Sequence, residues 1–348
     1  MEENKDRPSG PPAPKGNPGK PLPGVEALVR GIKNGDTSAL ARGITLMEST
    51  QEKDVEKGYN LVEQCLPLGK NSIRVGVTGV PGVGKSTFIE ALGTLVTGLG
   101  IRVAVLAIDP SSSLSKGSIM GDKTRMPALA RNPNAFIRPS PAGENLGGVA
   151  RKTREAMILC EAAGFDLILI ETVGVGQSET AVHSMVDFFL LLQLAGAGDE
   201  LQGIKRGIME MADAIVINKA DTDNLQKAGE ARAAYERAMQ LYPPKENGWI
   251  PKVLSCSSLE QQGIDAVWEL IRDYIRRYRA NGYLSSKRQE QNQYWFKQSM
   301  ESQLKRHFYA SRTAQEQLGP LMEKVARNEL SPFRAAALLL KGYERELK

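Results

Sequence analysis

Short apolar runs alternate with longer stretches of helical length along most of this chain. Nearly continuous apolar runs occur at 73–78, 103–108, 167–170, 188–192, 214–217 and 252–255. Runs of this kind are typical of parallel strands that are buried on both faces of a sheet. We therefore predict an α/β fold with a doubly wound, mostly parallel sheet, in which 252–255 is an edge strand and ligands bind at the carboxyl ends of the strands.

Helical periodicity precedes the first of these runs. One apolar stripe is formed by Leu40, Ile44 and Met47, and the same spacing recurs at Val55, Tyr59, Val62 and Leu66. We predict an N-terminal helical cap over residues 25–70, a sheet domain over 71–282 and a C-terminal helical region over 283–348. Residues 1–24 hold seven of the nineteen prolines and four glycines, which predicts a disordered tail because so few large apolar side chains cannot offset the entropy of ordering.

A glycine-rich loop follows the first predicted strand. It consists of Gly79, Val80, Pro81, Gly82, Val83, Gly84, Lys85, Ser86 and Thr87. This order fits G-x-x-x-x-G-K-[ST], the phosphate-binding loop, and a helical pattern follows it as the motif requires. The glycines let backbone N–H groups approach a polyphosphate, and the helix N-terminus adds partial positive charge. We expect Lys85 to neutralise the β- and γ-phosphate oxygens and Ser86 to bind Mg²⁺.

Two carboxylates stand where predicted strands end. Asp109 follows the run 103–108, and Glu171 follows the run 167–170. Mg²⁺ favours octahedral oxygen ligation by one or two carboxylates, waters and phosphate oxygens, so both side chains are candidate ligands of an ion held by Ser86. A helix cap or a surface charge is the alternative role for each. We assign Lys85, Ser86, Asp109 and Glu171 as the candidate catalytic residues.

A base-recognition motif follows the predicted strand 214–217. Asn218, Lys219, Ala220 and Asp221 form N-K-x-D, in which the aspartate accepts the ring N–H and the exocyclic amino N–H of guanine. Adenine presents the opposite pattern and would leave a buried carboxylate unpaired, which discriminates strongly. We expect Lys219 to lie along the base and Asn218 to tie two loops together. Ser257, Ser258 and Leu259 form either a second base-contacting loop or a helix cap.

The position that often orients the attacking water in GTPases is apolar here. In many of them a glutamine directly follows the glycine of an acidic-x-x-Gly segment. Val175 holds that position, and Gln177 is either a displaced water-positioning residue or an exposed loop residue. We infer slow hydrolysis without a partner. Two glycine-rich segments, 111–126 and 196–207, are candidate switches that order around the γ-phosphate and Mg²⁺, or else long surface loops.

These motifs together resemble the MeaB/ArgK/MMAA family of GTPases over about residues 25–348. The resemblance rests on the stretches 79–87, 109–112, 121–126, 171–179 and 218–221. It implies a GTPase chaperone that binds adenosylcobalamin-dependent methylmalonyl-CoA mutase, gates cofactor loading and protects the mutase. It also implies that Ser86, Asp109, Asp122 and Glu171 form the Mg²⁺ site and that 196–207 is a further switch near the mutase.

Other functions stay open at this point. Related acyl-CoA mutases such as isobutyryl-CoA mutases are alternative clients. Relatives have been described as arginine or ornithine transport kinases, and a small-molecule phosphotransferase would use the same phosphate loop. A metal-insertion GTPase for a nickel enzyme is a further alternative, against which the scarcity of His and Cys speaks.

Composition limits the partners and the compartment. The net charge of +5 arises in residues 287–348, where twelve Lys or Arg are interleaved with seven Glu, which is typical of a solvated helical face rather than a nucleic-acid site. Three cysteines in no C-x-x-C pair predict a reducing compartment without a thiolate metal site. With no membrane span or signal peptide in view, we expect a cytoplasmic protein, an organellar form being the alternative.

The C-terminal region carries an apolar stripe. Phe296, Met300, Leu304 and Phe308 recur at every fourth position, beside Trp295. Such a stripe is either part of the intramolecular core or a contact with another chain. The family resemblance implies an extended dimerisation arm, so we expect a homodimer.

Overall fold

The computed structural model describes residues 23–49, 51–69, 71–109, 125–141, 146–172, 178–195 and 206–347. Its strands are β1 (Ile73–Gly79), β2 (Val103–Asp109), β3 (Ala135–Pro141), β4 (Leu167–Thr172), β5 (Phe188–Leu194), β6 (Ala214–Asn218) and β7 (Lys252–Ser255). Its helices are α1 (Val25–Lys33), α2 (Thr37–Glu48), α3 (Glu52–Cys65), α4 (Lys85–Gly98), α5 (Pro127–Ala130), α6 (Leu146–Ala162), α7 (Ser178–His183), α8 (Arg206–Met211), α9 (Leu225–Met239), α10 (Ile264–Ala280), α11 (Tyr283–Ala310), α12 (Arg312–Ala326) and α13 (Pro332–Glu346).

All seven strands pair in parallel, in the order β3-β2-β4-β1-β5-β6-β7. The order reverses at β1, whose neighbours are β4 and β5, so the carboxyl end of β1 lies at a topological switch point. In the register, Val77 stands opposite Glu171 of β4, and Gly79 stands opposite Leu192 of β5. The predicted doubly wound α/β sheet is confirmed, with β7 at one edge.

The other edge strand, β3, was missed by the sequence prediction. Its sequence, Ala-Phe-Ile-Arg-Pro-Ser-Pro, contains two prolines and an arginine, so it lacks a continuous apolar run. Proline cannot donate to a ladder and is confined to edge strands or strand ends. β3 is an edge strand that pairs only with β2 among the described strands, which is why this sequence can form it.

Successive side chains of the inner strands point to opposite, equally buried faces. On β4, Leu167 and Leu169 join the core beneath α4 and α10, whereas Ile168 and Ile170 join the core beneath α2, α6 and α7. A third cluster lies between β5, β6 and α9. Burial on both faces leaves the carboxyl edge of the sheet as the surface where polar side chains gather.

The predicted N-terminal helices form, but one of them turns a different face inward. On α2, Leu40, Ile44 and Met47 are buried as predicted. On α3 the buried positions are Gly58, Leu61 and Cys65, and Leu66 follows the helix and is 62% exposed. The predicted stripe was therefore only partly right: Val62 packs against the core, but the buried face is formed by Gly58, Leu61 and Cys65, and Gly58 lies close to Met47 of α2.

The start of α11 is fixed to the turn between α7 and β5. Trp295 Nε1 donates to Ser184 O (3.2 Å) and Gln291 Nε2 donates to Val186 O (2.9 Å). Arg288 donates from Nε and Nη2 to the two carboxylate oxygens of Asp187, at 2.8 and 2.6 Å. Asp187 also accepts from the backbone N–H of Arg74 in β1. Asp187 is thus one buried carboxylate that connects α11 to β1, alongside the hydrogen bonds of Gln291 and Trp295.

Asp187 remains charged in this setting. Burial alone would raise the pKa of its carboxyl, but the hydrogen bonds and charge of Arg288, together with Arg74, outweigh burial and hold the pKa below its ordinary value. The stabilisation from this carboxylate is therefore present above its unfolded pKa of about 3.9 and is lost as the pH falls through the lower folded value.

We predict that Arg288→Met lowers the free energy of unfolding by about 3 kcal/mol at pH 7, because it leaves the buried Asp187 carboxylate without its main partner. Urea unfolding followed by circular dichroism measures this. Arg276→Met is the control, since its pair with Asp273 is exposed and contributes little. The difference between wild type and Arg288→Met should shrink as the pH falls, first as the unpaired carboxylate of the variant takes up a proton and then as the pH passes through the lowered pKa of Asp187 in the wild type. Equal losses in both variants would contradict this account.

Candidate functional site

The phosphate loop runs from the end of β1 into α4, and its shape depends on glycine. Gly79, Gly82 and Gly84 have φ angles of 151°, 80° and 91°. A Cβ atom on Gly79 would lie 2.5 Å from Leu192 O, and one on Gly84 would lie 2.8 Å from Asn218 Nδ2. Gly79 and Gly84 therefore combine positive φ angles with close contact to β5 and β6, whereas Gly82 is favoured by its positive φ alone.

Lys85 begins α4 and reaches back over the loop. Its Nζ donates to Gly79 O (2.8 Å) and Val80 O (3.2 Å). Burial lowers the pKa of Lys85, and the charges of Glu171 and Glu179 act against that shift. An ammonium has three N–H donors, of which these carbonyls take two. A cation held at the start of a helix, beside backbone N–H groups, is suited to a polyphosphate.

Ser86 and Glu171 meet at the carboxyl edge of the sheet. Ser86 Oγ donates to Glu171 Oε1 at 2.9 Å, and Glu171 is only 9% exposed. Glu171 stands opposite Val77 of β1 and Ala107 of β2 in the register, which puts it next to both strand ends. The structure thus brings together two of the four predicted metal ligands. The backbone of Asp109 ends β2, but its side chain, like all of Asp122, lies outside the described residues.

The donor set at this point fits magnesium. A serine hydroxyl and a carboxylate oxygen are hard oxygen ligands, and they are already within hydrogen-bonding distance of each other. Lys85 lies close enough for its charge to act on Glu171, so its predicted place beside the phosphate oxygens is next to the predicted ion. Ser86 and Glu171 would hold the ion, and no sulfur or nitrogen ligand is required.

Asn218, at the end of β6, joins the phosphate loop to the base-recognition loops. Its Nδ2 donates to Val83 O (2.8 Å), while its Oδ1 accepts from Ser258 Oγ (2.7 Å) and from Ser258 N (3.2 Å). Asn218 and Ser258 are buried. One amide therefore fixes the distance between the phosphate and base ends of the site.

Asp221 lies beside Ser257. Ser257 Oγ donates to Asp221 Oδ1 at 2.5 Å. Lys219 has a positive φ of 59°, and its carbonyl accepts from Asn224 Nδ2 (2.9 Å). Ser257 is buried, whereas Leu259 is 77% exposed. The predicted base-reading residues are thus close together, with Leu259 at the solvent side.

Several predicted features lie outside the described residues. These are Val175, Gln177, most of the segment 111–126 and most of the segment 196–207, so their proposed roles stay predictions. Other side chains at the site were given no role by the sequence. Glu179 on α7 is buried and acts on Lys85 through its charge, and Glu260 accepts from Thr222 in the base loop. Neither stands at a position that the two nucleotide motifs specify.

No helix among the described residues is long and apolar enough to cross a membrane.

Comparisons with known proteins agree on one family. The family model described as methylmalonyl-CoA mutase-associated GTPase MeaB matches residues 40–313. The chain is 46% identical over 304 residues to "GTPase ArgK" of Escherichia coli K12, covering 87% of this chain and 92% of that protein. It is 46% identical over 331 residues to "Methylmalonic aciduria type A homolog, mitochondrial" of Mus musculus, covering 92% of this chain and 80% of that protein.

A solved structure supports the same assignment. The crystal structure titled "LAO/AO transport system kinase" superimposes with a TM-score of 0.73 at 39% identity, covering 92% of this chain and 97% of that chain. At this coverage and TM-score the two chains share the fold. The resemblance inferred from the motifs is confirmed, and the chain belongs to the MeaB family of GTPases.

Proposed function

We propose that this chain is a Mg²⁺-dependent GTPase that acts as a chaperone of adenosylcobalamin-dependent methylmalonyl-CoA mutase, gating cofactor loading and protecting the mutase. The observation that carries the nucleotide part is the pairing of Ser86 with Glu171 beside Lys85, joined through Asn218 to the loop that holds Asp221. The proposed client is supported by the family description, which names methylmalonyl-CoA mutase.

The phosphate end of the site binds and orients the phosphate groups of the nucleotide. Loop amides and Lys85 stabilise charge on the phosphate oxygens, and this stabilisation is strongest in the transition state of phosphoryl transfer, where charge spreads over those oxygens. Bound Mg²⁺ would neutralise part of the same charge. Ser86 and Glu171 would hold it, with Asp109 and Asp122 as the further proposed ligands. Turnover without a partner is slow in this proposal, because Val175 replaces the residue that often orients water.

The base end selects guanine. Asp221 accepts two N–H groups from the base edge, Lys219 lies along its face, and Ser257 holds the carboxylate in place. Ser258 and Leu259 belong to the same loop, which Asn218 fixes relative to the phosphates. GTP and GDP are therefore the proposed nucleotides.

A phosphotransferase acting on a small molecule is the second candidate, favoured by the name of the solved relative, which describes a transport system kinase. A kinase would leave a phosphorylated product, whereas a chaperone would show GTP turnover that depends on a protein. A related acyl-CoA mutase is the alternative client.

We also propose that the chain forms a homodimer through α11. This helix has two unlike faces: Trp295 is buried against the sheet domain, whereas Phe296, Met300 and Leu304 are exposed by 71%, 46% and 61%. The exposed stripe borders a groove with Val55 of α3. An apolar face of this length on a long helix is suited to a second copy of the chain.

The chaperone proposal predicts that a purified adenosylcobalamin-dependent methylmalonyl-CoA mutase raises GTP turnover several-fold and leaves ATP turnover unchanged. Phosphate release with and without the mutase measures this. Lys85→Ala should abolish turnover in both conditions, because it removes the cation of the phosphate loop. Lys33→Ala, at an exposed end of α1, is the control. If the mutase left GTP turnover unchanged, methylmalonyl-CoA mutase would not be the client. A phosphorylated small molecule among the products would favour the phosphotransferase function.

Asp221→Asn should weaken GDP binding roughly tenfold or more and favour xanthosine diphosphate, because the amide offers one donor and one acceptor to the base instead of two acceptors. Competition against a fluorescent GDP measures both affinities. Asp223→Asn, at an exposed position in the same turn, is the control. If guanine selectivity were unchanged in Asp221→Asn, Asp221 would have no place in base recognition.

The combined variant Phe296→Ser and Leu304→Ser should convert a dimer into a monomer, because it removes most of the exposed apolar stripe. Sedimentation velocity measures the oligomeric state. Leu241→Ser is the control, since Leu241 is even more exposed (85%) but lies on the sheet domain. A monomeric wild type, or a variant that stays dimeric, would contradict the proposed interface.

A further inference from the structure

A closed ring of hydrogen bonds joins the two base-recognition loops. Ser257 Oγ donates to Asp221 Oδ1 (2.5 Å), and Ser257 Oγ itself accepts from the backbone N–H of Glu260 (3.0 Å). The carboxylate of Glu260 returns to the first loop, where its Oε1 accepts from Thr222 N (3.3 Å) and Thr222 Oγ1 (3.1 Å). Since Thr222 follows Asp221 in the chain, the ring closes on the residue proposed to bind guanine.

We propose that Glu260 is a specificity-determining positioning residue, which holds Asp221 in the orientation that accepts both N–H groups of guanine. This inference rests on the proposed recognition of guanine by Asp221. Glu260 does not touch the base in this proposal. Its backbone N–H acts through Ser257, and its carboxylate, the part that a substitution removes, acts through Thr222.

The backbone makes Glu260 a rigid support. Ser257 and Gln262 exchange two backbone hydrogen bonds, Ser257 N to Gln262 O (3.0 Å) and Gln262 N to Ser257 O (3.1 Å), which close residues 257–262 into a tight turn. The turn ends at Gly263, whose φ is 72° and whose missing Cβ would lie 2.7 Å from Ser255 O. The position of Glu260 is therefore set by this turn and not by a flexible loop.

The first contact orients the hydroxyl of Ser257. A hydroxyl group has one donor hydrogen and accepts through its lone pairs. Because Ser257 Oγ accepts from the N–H of Glu260, its own hydrogen points toward Asp221. One oxygen of Asp221 is thereby fixed, and the plane of the carboxylate with it.

The second contact fixes the turn that begins after Asp221. The residue stands at the N-cap of the turn Thr222–Asn224, a position where aspartate usually accepts from the N–H groups of its own turn. Here its side chain makes no such cap: Asn224 N donates to the backbone carbonyl of Asp221 (2.7 Å), and Thr222 N donates to Glu260 Oε1 (3.3 Å). Glu260 therefore fixes Thr222, the residue next to Asp221, while the Asp221 carboxylate accepts from Ser257 and not from its own turn.

The ring predicts a particular loss of selectivity. Guanine offers Asp221 two N–H groups, whereas hypoxanthine lacks the exocyclic amino group and offers one. If the Glu260 carboxylate positions Asp221, removing it should weaken the binding of GDP more than the binding of IDP. The reason is that the second hydrogen bond to guanine depends on the plane of the Asp221 carboxylate. If Glu260 only stabilised the loop, its substitution would lower the affinity for both nucleotides by the same factor.

The test is the affinity of the full chain for GDP and IDP, measured by competition with a fluorescent GDP. Glu260→Ala should lower the affinity for GDP about fivefold, the size expected for one net hydrogen bond. It should also reduce the ratio of the GDP affinity to the IDP affinity, called here the GDP-to-IDP ratio. Glu260→Gln keeps an acceptor oxygen and should restore most of that ratio. Asp223→Ala is the matched control, because it removes an exposed carboxylate from the same turn without altering the ring.

A double-mutant cycle isolates the contact itself. Thr222→Val removes the hydroxyl donor, so adding it to Glu260→Ala should change the GDP-to-IDP ratio little, whereas Thr222→Ser should resemble the wild type. The melting temperature of each variant checks folding. If Glu260→Ala lowered the affinities for GDP and IDP by the same factor, or lowered neither, the inference would be overturned.

The variant Asp221→Asn distinguishes an error in the role of Glu260 from an error in the proposed recognition of guanine. If Asp221→Asn favours xanthine but Glu260→Ala leaves the GDP-to-IDP ratio unchanged, only the role of Glu260 is wrong. If Asp221→Asn leaves guanine selectivity unchanged, the proposed base recognition is wrong, and the role of Glu260 fails with it.

Discussion

The side-chain amide of Asn218 is the contact on which the nucleotide site depends. It is buried, and it donates to the phosphate loop at Val83 while it accepts from Ser258 of the base loop. An amide offers both donor and acceptor within a fixed plane, so one residue can join two loops that are far apart in sequence. A buried polar group that lost one of these partners would carry the cost of an unsatisfied hydrogen bond. The spacing between phosphate and base recognition is thus a property of the folded core.

The parallel sheet explains why these loops meet at all. Since every strand runs in the same direction, β1, β2, β4 and β6 each deliver the residues that follow them to one edge. Glu171 reaches Ser86 in this way, and Asn218 reaches Val83. At the opposite edge, Asp187 fixes the start of α11 through Arg288. The molecule therefore separates its nucleotide chemistry from the attachment of its C-terminal helices.

Much of this could be predicted from the sequence, for identifiable reasons. The phosphate loop and N-K-x-D are short, local and tied to strand ends, so their place at the carboxyl edge followed from the fold class. β3 could not be predicted, because its prolines are tolerated only through its position as an edge strand. The inward face of α3 was misjudged because Gly58 and Cys65 are small, and close packing rather than large apolar side chains selects that face. Glu260 escaped notice because its partner, Thr222, is distant in the chain and the contact exists only after the two loops fold.

The most direct test of a guanine-nucleotide switch that serves a mutase is the calorimetric titration of this chain with purified adenosylcobalamin-dependent methylmalonyl-CoA mutase. The titration is run once with GDP and once with a non-hydrolysable GTP analogue, each with Mg²⁺. The account predicts a complex whose dissociation constant differs several-fold between the two nucleotides, because the segments around the γ-phosphate would be ordered differently. The absence of heat in both titrations, or the same dissociation constant in both, would contradict it.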